Sequence, residues 1–256
     1  ITHASFCEMP KSKKVTAIEH WQFPWFYTHI RDKLKSTEKV VEYVDTYSYI
    51  FRHNRAIFWT FKEQFPEAIG NHPLFRNIFG WMLPPVVQFL KLPATATLDH
   101  ELMSHKVYQD IVLPISEAER SMDLAAEKFN IWPILMYPCK VYCNRRGIFP
   151  EPRPQDIIDN GREEPFAMYM DLGVYGTPEP VHRQQPTPTV KHLRDFEEYT
   201  SSVQGAPFLY AHTFMTKEEF TQMFNLALYD EVRKKYKCDG TYLHVWEKTK
   251  LPLDPD

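Results

Sequence analysis

The chain has 256 residues, 43% of them hydrophobic and 15% aromatic, with a formal net charge of −3. That length allows one large domain or two small ones and that apolar fraction can fill a core, which excludes a mainly disordered or fibrous chain. Basic residues are interleaved with acids (Lys33, Lys35, Glu38, Lys39; Asp230, Glu231, Arg233, Lys234, Lys235), which excludes a global basic field for nucleic acid.

In chain order, His20–Lys39 carries Phe23, Phe26, Tyr27, Ile30 and Leu34 at helical spacing and predicts an amphipathic helix. Val40–Phe51 alternates, with both faces rich in β-branched and aromatic residues, and predicts a well-covered strand. Arg55–Phe65 reads as a strand or a short helix, and Thr97–Tyr108 as a helix. Gln109–Ile115 predicts a strand stopped by Pro114. Ser116 and Glu119 then form a capping box for a helix reaching Phe129. Strands follow at Ile131–Tyr137 and Pro165–Val174, separated by a proline-rich, acidic surface loop at Phe149–Pro165. A second proline-rich excursion, Thr177–Thr189, leads to a helix at Val190–Val203 and a strand at Pro207–His212. Thr216 with Glu219 caps a further helix, and Ala227–Lys237 supplies the last. Strands separated by helices, with few hairpin signals and no internal repeat, predict an α+β fold: a mainly antiparallel sheet with helices on one face, as one domain over residues 1–256.

Several chemistries have no footing in this pattern. The 8 glycines form no G-x-G-x-x-G and no G-x-x-x-x-G-K-[ST], so the chain has no usual phosphate-cradling loop of its own. Cys7, Cys139, Cys143 and Cys238 are too few and scattered for a disulfide framework, and reduced thiols fit better. The 11 histidines include no H-E-x-x-H, so no metal site is expected. There is no run of 18 apolar residues and hence no membrane-spanning helix. Pro73–Leu92 comes nearest; it reads as a buried core segment or as an element lying in a membrane interface. A start at Ile1 suggests a processed, excised or partial product.

The polar groups concentrate in aromatic surroundings. Residues 47–59 read YSYIFRHNRAIFW, and similar groups stand at Tyr108-Gln109-Asp110, Tyr169-Met170-Asp171 and Tyr210-Ala211-His212. On alternating strands, Tyr169/Asp171 and Tyr210/His212 would each project to one sheet face. Such a face is either a small-molecule pocket or a satisfied polar layer in a core, and composition does not choose between them.

The runs YSYIFRHNRAIFW (47–59), NHPLFRNIFGWMLPP (71–85), YQDIVLPI (108–115), MYMDLGVYGTPE (168–179) and LYAHTFMTKEEFTQMFNLALYDEVRKKYKC (209–238) resemble the C-terminal half of the delta-24-sterol reductase (diminuto) family. The resemblance is colinear from about Trp21 to Cys238, with departures mainly at Phe149–Pro165 and Thr177–Thr189. The family is one of vanillyl-alcohol-oxidase-like flavoproteins, in which an N-terminal FAD-binding domain is followed by a cap domain over the flavin. The resemblance implies that this chain is the substrate-binding cap and that the FAD-binding domain lies in the same gene product. It implies reduction of the side-chain double bond of a desmosterol-like sterol with FAD and NADPH, at a cytosol-facing endoplasmic reticulum membrane. Within that reading, His53, Tyr210 and His212 are the catalytic candidates as proton donors. Arg55 and Asp171 are the flavin-facing ones, and Tyr49, Phe58, Trp59 and Tyr169 line the sterol slot. Two other readings stand beside it: a non-catalytic interaction or structural subunit that keeps the cap fold, and a stand-alone lipid-binding domain.

Overall fold

The computed structural model describes residues 4–8, 12–36, 38–56, 59, 62, 65–83, 105–143 and 147–250. The chain divides into two compact units, Ile1–Ala94 and Thr95–Asp256.

The first unit is built from short helices: α1 (Phe26–Lys33), α2 (Thr46–Ile50), α3 (Glu67–Gly70) and α4 (Pro73–Phe79), the last running on as a 3-10 turn over Gly80–Met82. The helix expected over 20–39 begins only at Phe26, because Pro24 holds the residue before it extended and Trp25 serves as the N-cap. The strand expected over Val40–Phe51 is absent. A single parallel bridge joins Val15 to Tyr43, and Asp45 then caps α2 by accepting from the Ser48 amide at 3.0 Å. An alternating run with no ladder partner gains nothing from extension, whereas an aspartate at a helix start satisfies a free N–H. Arg55–Phe65 lies largely outside the described residues, as does the 97–104 part of the helix expected at 97–108.

Trp25 anchors this unit, packed with Ala56 and flanked by Tyr27, Phe65 and Leu83. Gly70 meets its ring so closely that a Cβ there would sit 2.7 Å from Trp25 Cζ2. Asn71 accepts from the Trp25 amide at 3.0 Å and donates to Thr28 Oγ1 at 2.8 Å. With little ladder available, loop carbonyls find side-chain donors instead. Arg55 donates to the carbonyls of His20 (2.7 Å), Trp21 (2.7 Å) and Phe23 (2.9 Å). Arg76 donates to those of Asn71 and Gln22. Within Pro73–Leu92, the described residues Leu74, Ile78, Phe79, Trp81 and Met82 are exposed, so this part is not the buried core segment.

The second unit carries the sheet. Its strands are β1 (Val107–Pro114), β2 (Leu135–Tyr142), β3 (Ile157–Ile158), β4 (Phe166–Gly176) and β5 (Ala206–Pro207). All pairings are antiparallel in the order β2-β4-β1-β5, and β3 pairs with β4 beyond the end of β1. The expected α+β class is what the structure has. Helices α5 (Ala118–Lys128) and α7 (Thr189–Ser202) cover one face. There Ile111, Leu113, Met170, Leu172 and Val174 meet Leu124, Phe129, Leu193 and Phe196. The short α6 (Glu179–His182) lies in the proline-rich excursion, and α8 (Lys217–Met223), α9 (Ala227–Lys235) and α10 (Val245–Thr249) close the chain.

Four local expectations change. The strand expected at 131–137 is displaced to 135–142, where Pro138 is tolerated because β2 is an edge. Tyr108, expected to end a helix, already lies in β1, which pairs with β4 along its whole length. Ser116 makes no capping box: its hydroxyl accepts from Arg153 at 2.7 Å, and α5 starts at Ala118 without a side-chain cap. The Thr216–Glu219 box, by contrast, forms in both directions. Finally, the strand expected over Pro207–His212 is reduced to Ala206–Pro207, since Pro207 has no N–H to carry the ladder on and Thr213 is drawn to the Thr249 carbonyl at 2.9 Å. Tyr210 and His212 therefore sit on a turn, not on a strand face.

Candidate functional site

The sheet face opposite α5 and α7 differs along its length. Alternation places Tyr108, Asp110 and Val112 of β1 beside Tyr175, Gly173 and Asp171 of β4, with Leu135, Tyr137 and Cys139 of β2 on the far side. At one end Val112, Val141, Ala167 and Tyr169 close over with Phe149 into an apolar floor. Towards the other end the face is polar and reaches solvent through Tyr137 and Tyr210, the latter 66% exposed.

Two carboxyl groups occupy the boundary. Asp110 is 3% exposed and Asp171 9%. Tyr175 donates a hydrogen bond to Asp110, and its oxygen lies 2.9 Å from that of Tyr210. Asp171 Oδ1 is covered and has no hydrogen-bond partner among the described residues. Burial, and then the charge of Asp110, pushes the Asp171 carboxyl up to about 7. Burial also raises Asp110, against the pull of the Tyr175 hydroxyl. The charge of Asp110 thus disfavours ionisation of Asp171, while Asp110 itself accepts from Tyr175. Burial and the same aspartate push the Tyr175 phenol up, so it stays protonated. Burial likewise raises the Cys139 thiol, which points at the Tyr137 carbonyl at 3.5 Å. Gly173 makes the arrangement possible: a Cβ there would lie 2.4 Å from Asp110 Oδ1 and 2.7 Å from the Tyr175 ring.

Of the residues singled out from sequence, Asp171 and Tyr210 come together on this face. Tyr169 lies fully covered beneath it, its hydroxyl donating to the Gln204 carbonyl at 3.3 Å. His212 is half-buried on the turn that carries Tyr210. The others belong to the first unit. There His53 meets the edge of Phe26 at 5.5 Å, and Tyr49 packs against Phe26 and under the Arg52 guanidinium at 4.2 Å. Burial, and then Arg52, pushes His53 down to about 4, so its ring is neutral at neutral pH. Arg55 is held by loop carbonyls as described, and Trp59 is buried. Phe58 lies outside the described residues. Asp110, Tyr175 and Gly173 were missed as site residues; the spacing 169, 171, 173, 175 puts the last two on Asp171's face, but nothing local in the sequence sets the register that brings Asp110 to them.

A second polar cluster joins α7 to α8 beside a cleft of about 280 Å³. Glu197, 3% exposed, accepts from the Phe214 amide at 2.9 Å and from Arg194 at 3.0 Å, and Arg194 reaches on to Glu219 at 2.6 Å. Every group in it is partnered, which makes it a structural clamp. Among the described residues no three His, Cys, Asp or Glu are grouped to hold a metal ion, and no helix is long and apolar enough to cross a membrane.

Comparison with known proteins agrees with the sequence resemblance. The chain is 32% identical over 235 residues to the human delta(24)-sterol reductase, covering 92% of this chain and 42% of that protein. It is 31% identical over 242 residues to the delta(24)-sterol reductase of Arabidopsis thaliana, covering 94% and 43%. It is 30% identical over 236 residues to a delta(24)-sterol reductase homolog of Caenorhabditis elegans, covering 91% and 41%. No family model and no solved structure matches the chain. By sequence, then, this chain is a relative of the delta(24)-sterol reductases over nearly its whole length, and it spans about two-fifths of each.

Proposed function

We propose that the chain is the substrate-facing, C-terminal portion of an FAD-dependent sterol reductase that reduces the delta-24 side-chain double bond of a desmosterol-like sterol with NADPH. The observation that carries this reading is the buried Asp171 carboxyl, its Oδ1 without a hydrogen-bond partner among the described residues, on a half-open, aromatic sheet face. Saturating a C=C bond requires a hydride at one carbon and a proton at the other. A flavin, when bound, would supply the hydride chemistry. Asp171 would hold the proton at a carboxyl oxygen, and burial, with the charge of Asp110 beside it, favours the protonated form. Tyr137, Phe208 and Tyr210 present exposed rings for the apolar substrate, and the floor of Val112, Val141 and Tyr169 excludes water from below.

The described residues fit the reacting end of a flavin and not its phosphates. Asp171 Oδ1 is a covered polar atom without a hydrogen-bond partner among the described residues, and Asp171 stands opposite the exposed Tyr137 of β2. Gly161, Gly176 and Gly240, the glycines with positive φ, are scattered and cradle nothing. The dinucleotide would be held by the FAD-binding domain of the full-length gene product. Among the proton-donor candidates, Tyr210 joins the Asp110–Tyr175 network and His212 stands on the same turn. His53, neutral at neutral pH, has no imidazolium proton to give there, and Arg55 is committed to backbone carbonyls. The exposed Leu74, Ile78, Trp81 and Met82 support work at a membrane surface, assigned here to the endoplasmic reticulum.

The test is the full-length gene product purified and reduced anaerobically with NADPH. A yellow protein whose reduced flavin is reoxidised by desmosterol, with an Asp171→Asn variant at least about 100-fold slower in that step, is the expected outcome. A colourless protein, or a reduced flavin indifferent to sterol, selects the non-catalytic subunit instead.

A further inference from the structure

The turn that brings Tyr210 to the open face has no ladder along it, because β5 ends at Pro207. Its entry is fixed where the Phe208 amide donates to the Asp110 carbonyl at 3.0 Å. Tyr210 then stands two-thirds exposed, its ring stacked on Phe208 and its oxygen 2.9 Å from that of Tyr175. Only Ala211, His212 and Thr213 lie between Tyr210 and Phe214, where the chain leaves the turn. The Thr213 amide donates to the Thr249 carbonyl at 2.9 Å. Beyond it, the exit is held by α7, the helix that covers the opposite face of the sheet.

That hold is made by charges. Glu197 Oε1 accepts from the Phe214 amide at 2.9 Å, and Glu197 Oε2 accepts from Arg194 at 3.0 Å. The same guanidinium donates to Glu219 Oε1 at 2.6 Å, and Glu219 Oε2 accepts from the Thr216 amide at 2.7 Å. The amides of Phe214 and Thr216, on either side of Met215, therefore both end on carboxylates that one arginine ties together. Between them the chain passes from one core to another: Phe214 packs against the α5–α7 cluster, and Met215 joins Phe220 and Met223. Glu197 is 3% exposed, and burying an ion pair carries a desolvation cost that a neutral acceptor for the Phe214 amide would avoid. What the pair supplies is direction, because a planar fork fixes both carboxylates, and so both amides, in one arrangement.

We propose that Glu197 and Arg194 are positioning residues for the open face: through the Phe214 amide they set the turn that presents Tyr210 to the ligand. The proposal rests on the sterol-reductase reading for the identity of that ligand, but not for the placement of Tyr210.

Three measurements on the full-length gene product test this, two of them free of sterol chemistry. With fluorotyrosine incorporated, the Tyr210 fluorine resonance is identified by its loss in Tyr210→Phe. Glu197→Leu removes the acceptor of the Phe214 amide and is expected to move that resonance halfway or more to the position of free fluorotyrosine. Glu197→Gln keeps an acceptor oxygen and is expected to retain most of the parental shift. A resonance at the parental position in folded Glu197→Leu overturns the proposal. The reverse direction needs no buried substitution. Tyr210→Phe, made at an exposed residue, is expected to speed hydrogen exchange at the Phe214 amide about 5-fold, at the low end for linked groups. An unchanged exchange rate overturns the proposal even if Glu197→Leu does not fold. With desmosterol as substrate, Glu197→Leu is expected to raise KM about 5-fold with little change in kcat, and to add nothing further in the Tyr210→Phe background. An equal further rise in that background places the effect elsewhere than Tyr210 and overturns the proposal. A parent enzyme that does not turn over sterol refutes the sterol-reductase reading, and the fluorine and exchange measurements then decide the placement of Tyr210 alone.

Discussion

The two units satisfy their polar groups by opposite means. In the first, cationic side chains reach out to loop carbonyls, as Arg55 and Arg76 do, and the one strongly perturbed histidine, His53, is kept neutral by burial. In the second, a ladder satisfies the backbone, and two buried carboxyls, Asp171 and Glu197, are both pushed up to about 7. His53 and these carboxyls respond to pH in opposite directions. A histidine with a lowered folded pKa destabilises as pH falls through the window from its unfolded value, because the unfolded chain takes up the proton first. A carboxyl with a raised folded pKa destabilises as pH rises through its window, because the unfolded chain releases the proton first.

The contrast breaks most visibly at Arg55. Replacing it with alanine strands the carbonyls of His20, Trp21 and Phe23 and should cost about 3 kcal/mol, read as a lower urea midpoint. Arg55→Lys should recover less than half of that, because an ammonium lacks the planar fork that spans these acceptors. Next is Asp171→Asn. Asparagine is neutral at every pH, so the variant should exceed the parent by about 2 kcal/mol at pH 8 and match it near pH 4. A gain independent of pH would mean that Asp171 is ionised in the folded protein. Gly173→Ala pushes a methyl into Asp110 and the Tyr175 ring and should cost about 1.5 kcal/mol in thermal or urea unfolding. It should also split the Asp110–Tyr175 contact. The smallest effect is at His53: the parent should lose about 1 kcal/mol between pH 6.5 and pH 4 through this residue, and His53→Phe should flatten that part of the stability profile.

What was legible in the sequence follows the same division. β1 and β4 stood out because buried strands are apolar on both faces, and α7 and α8 because of helical spacing and the Thr216–Glu219 box. The 40–51 segment misleads because its alternation is real but has no partner strand, and Asp45 turns it into a capped helix. Residues 207–212 mislead because one proline ends a ladder that composition would continue. At the site, Tyr169 and Asp171 do share a face of β4, yet only Asp171 reaches the polar end, while Tyr169 is sealed beneath Phe149. Asp110 and Tyr175 are 65 residues apart, and the register that joins them is a long-range property of the sheet.

On the proposed reading, Asp171 on the open sheet face stays a carboxylic acid up to about neutral pH. Infrared titration of the protein measures it directly, by following the C=O stretch of protonated carboxyl groups from pH 4 to pH 9. The expected result is a band that persists to about pH 7 and loses the Asp171 share of its intensity in Asp171→Asn, with Glu197 supplying the remainder. A parent spectrum with no protonated carboxyl above pH 5, or a neutral-pH band unchanged by Asp171→Asn, would contradict it.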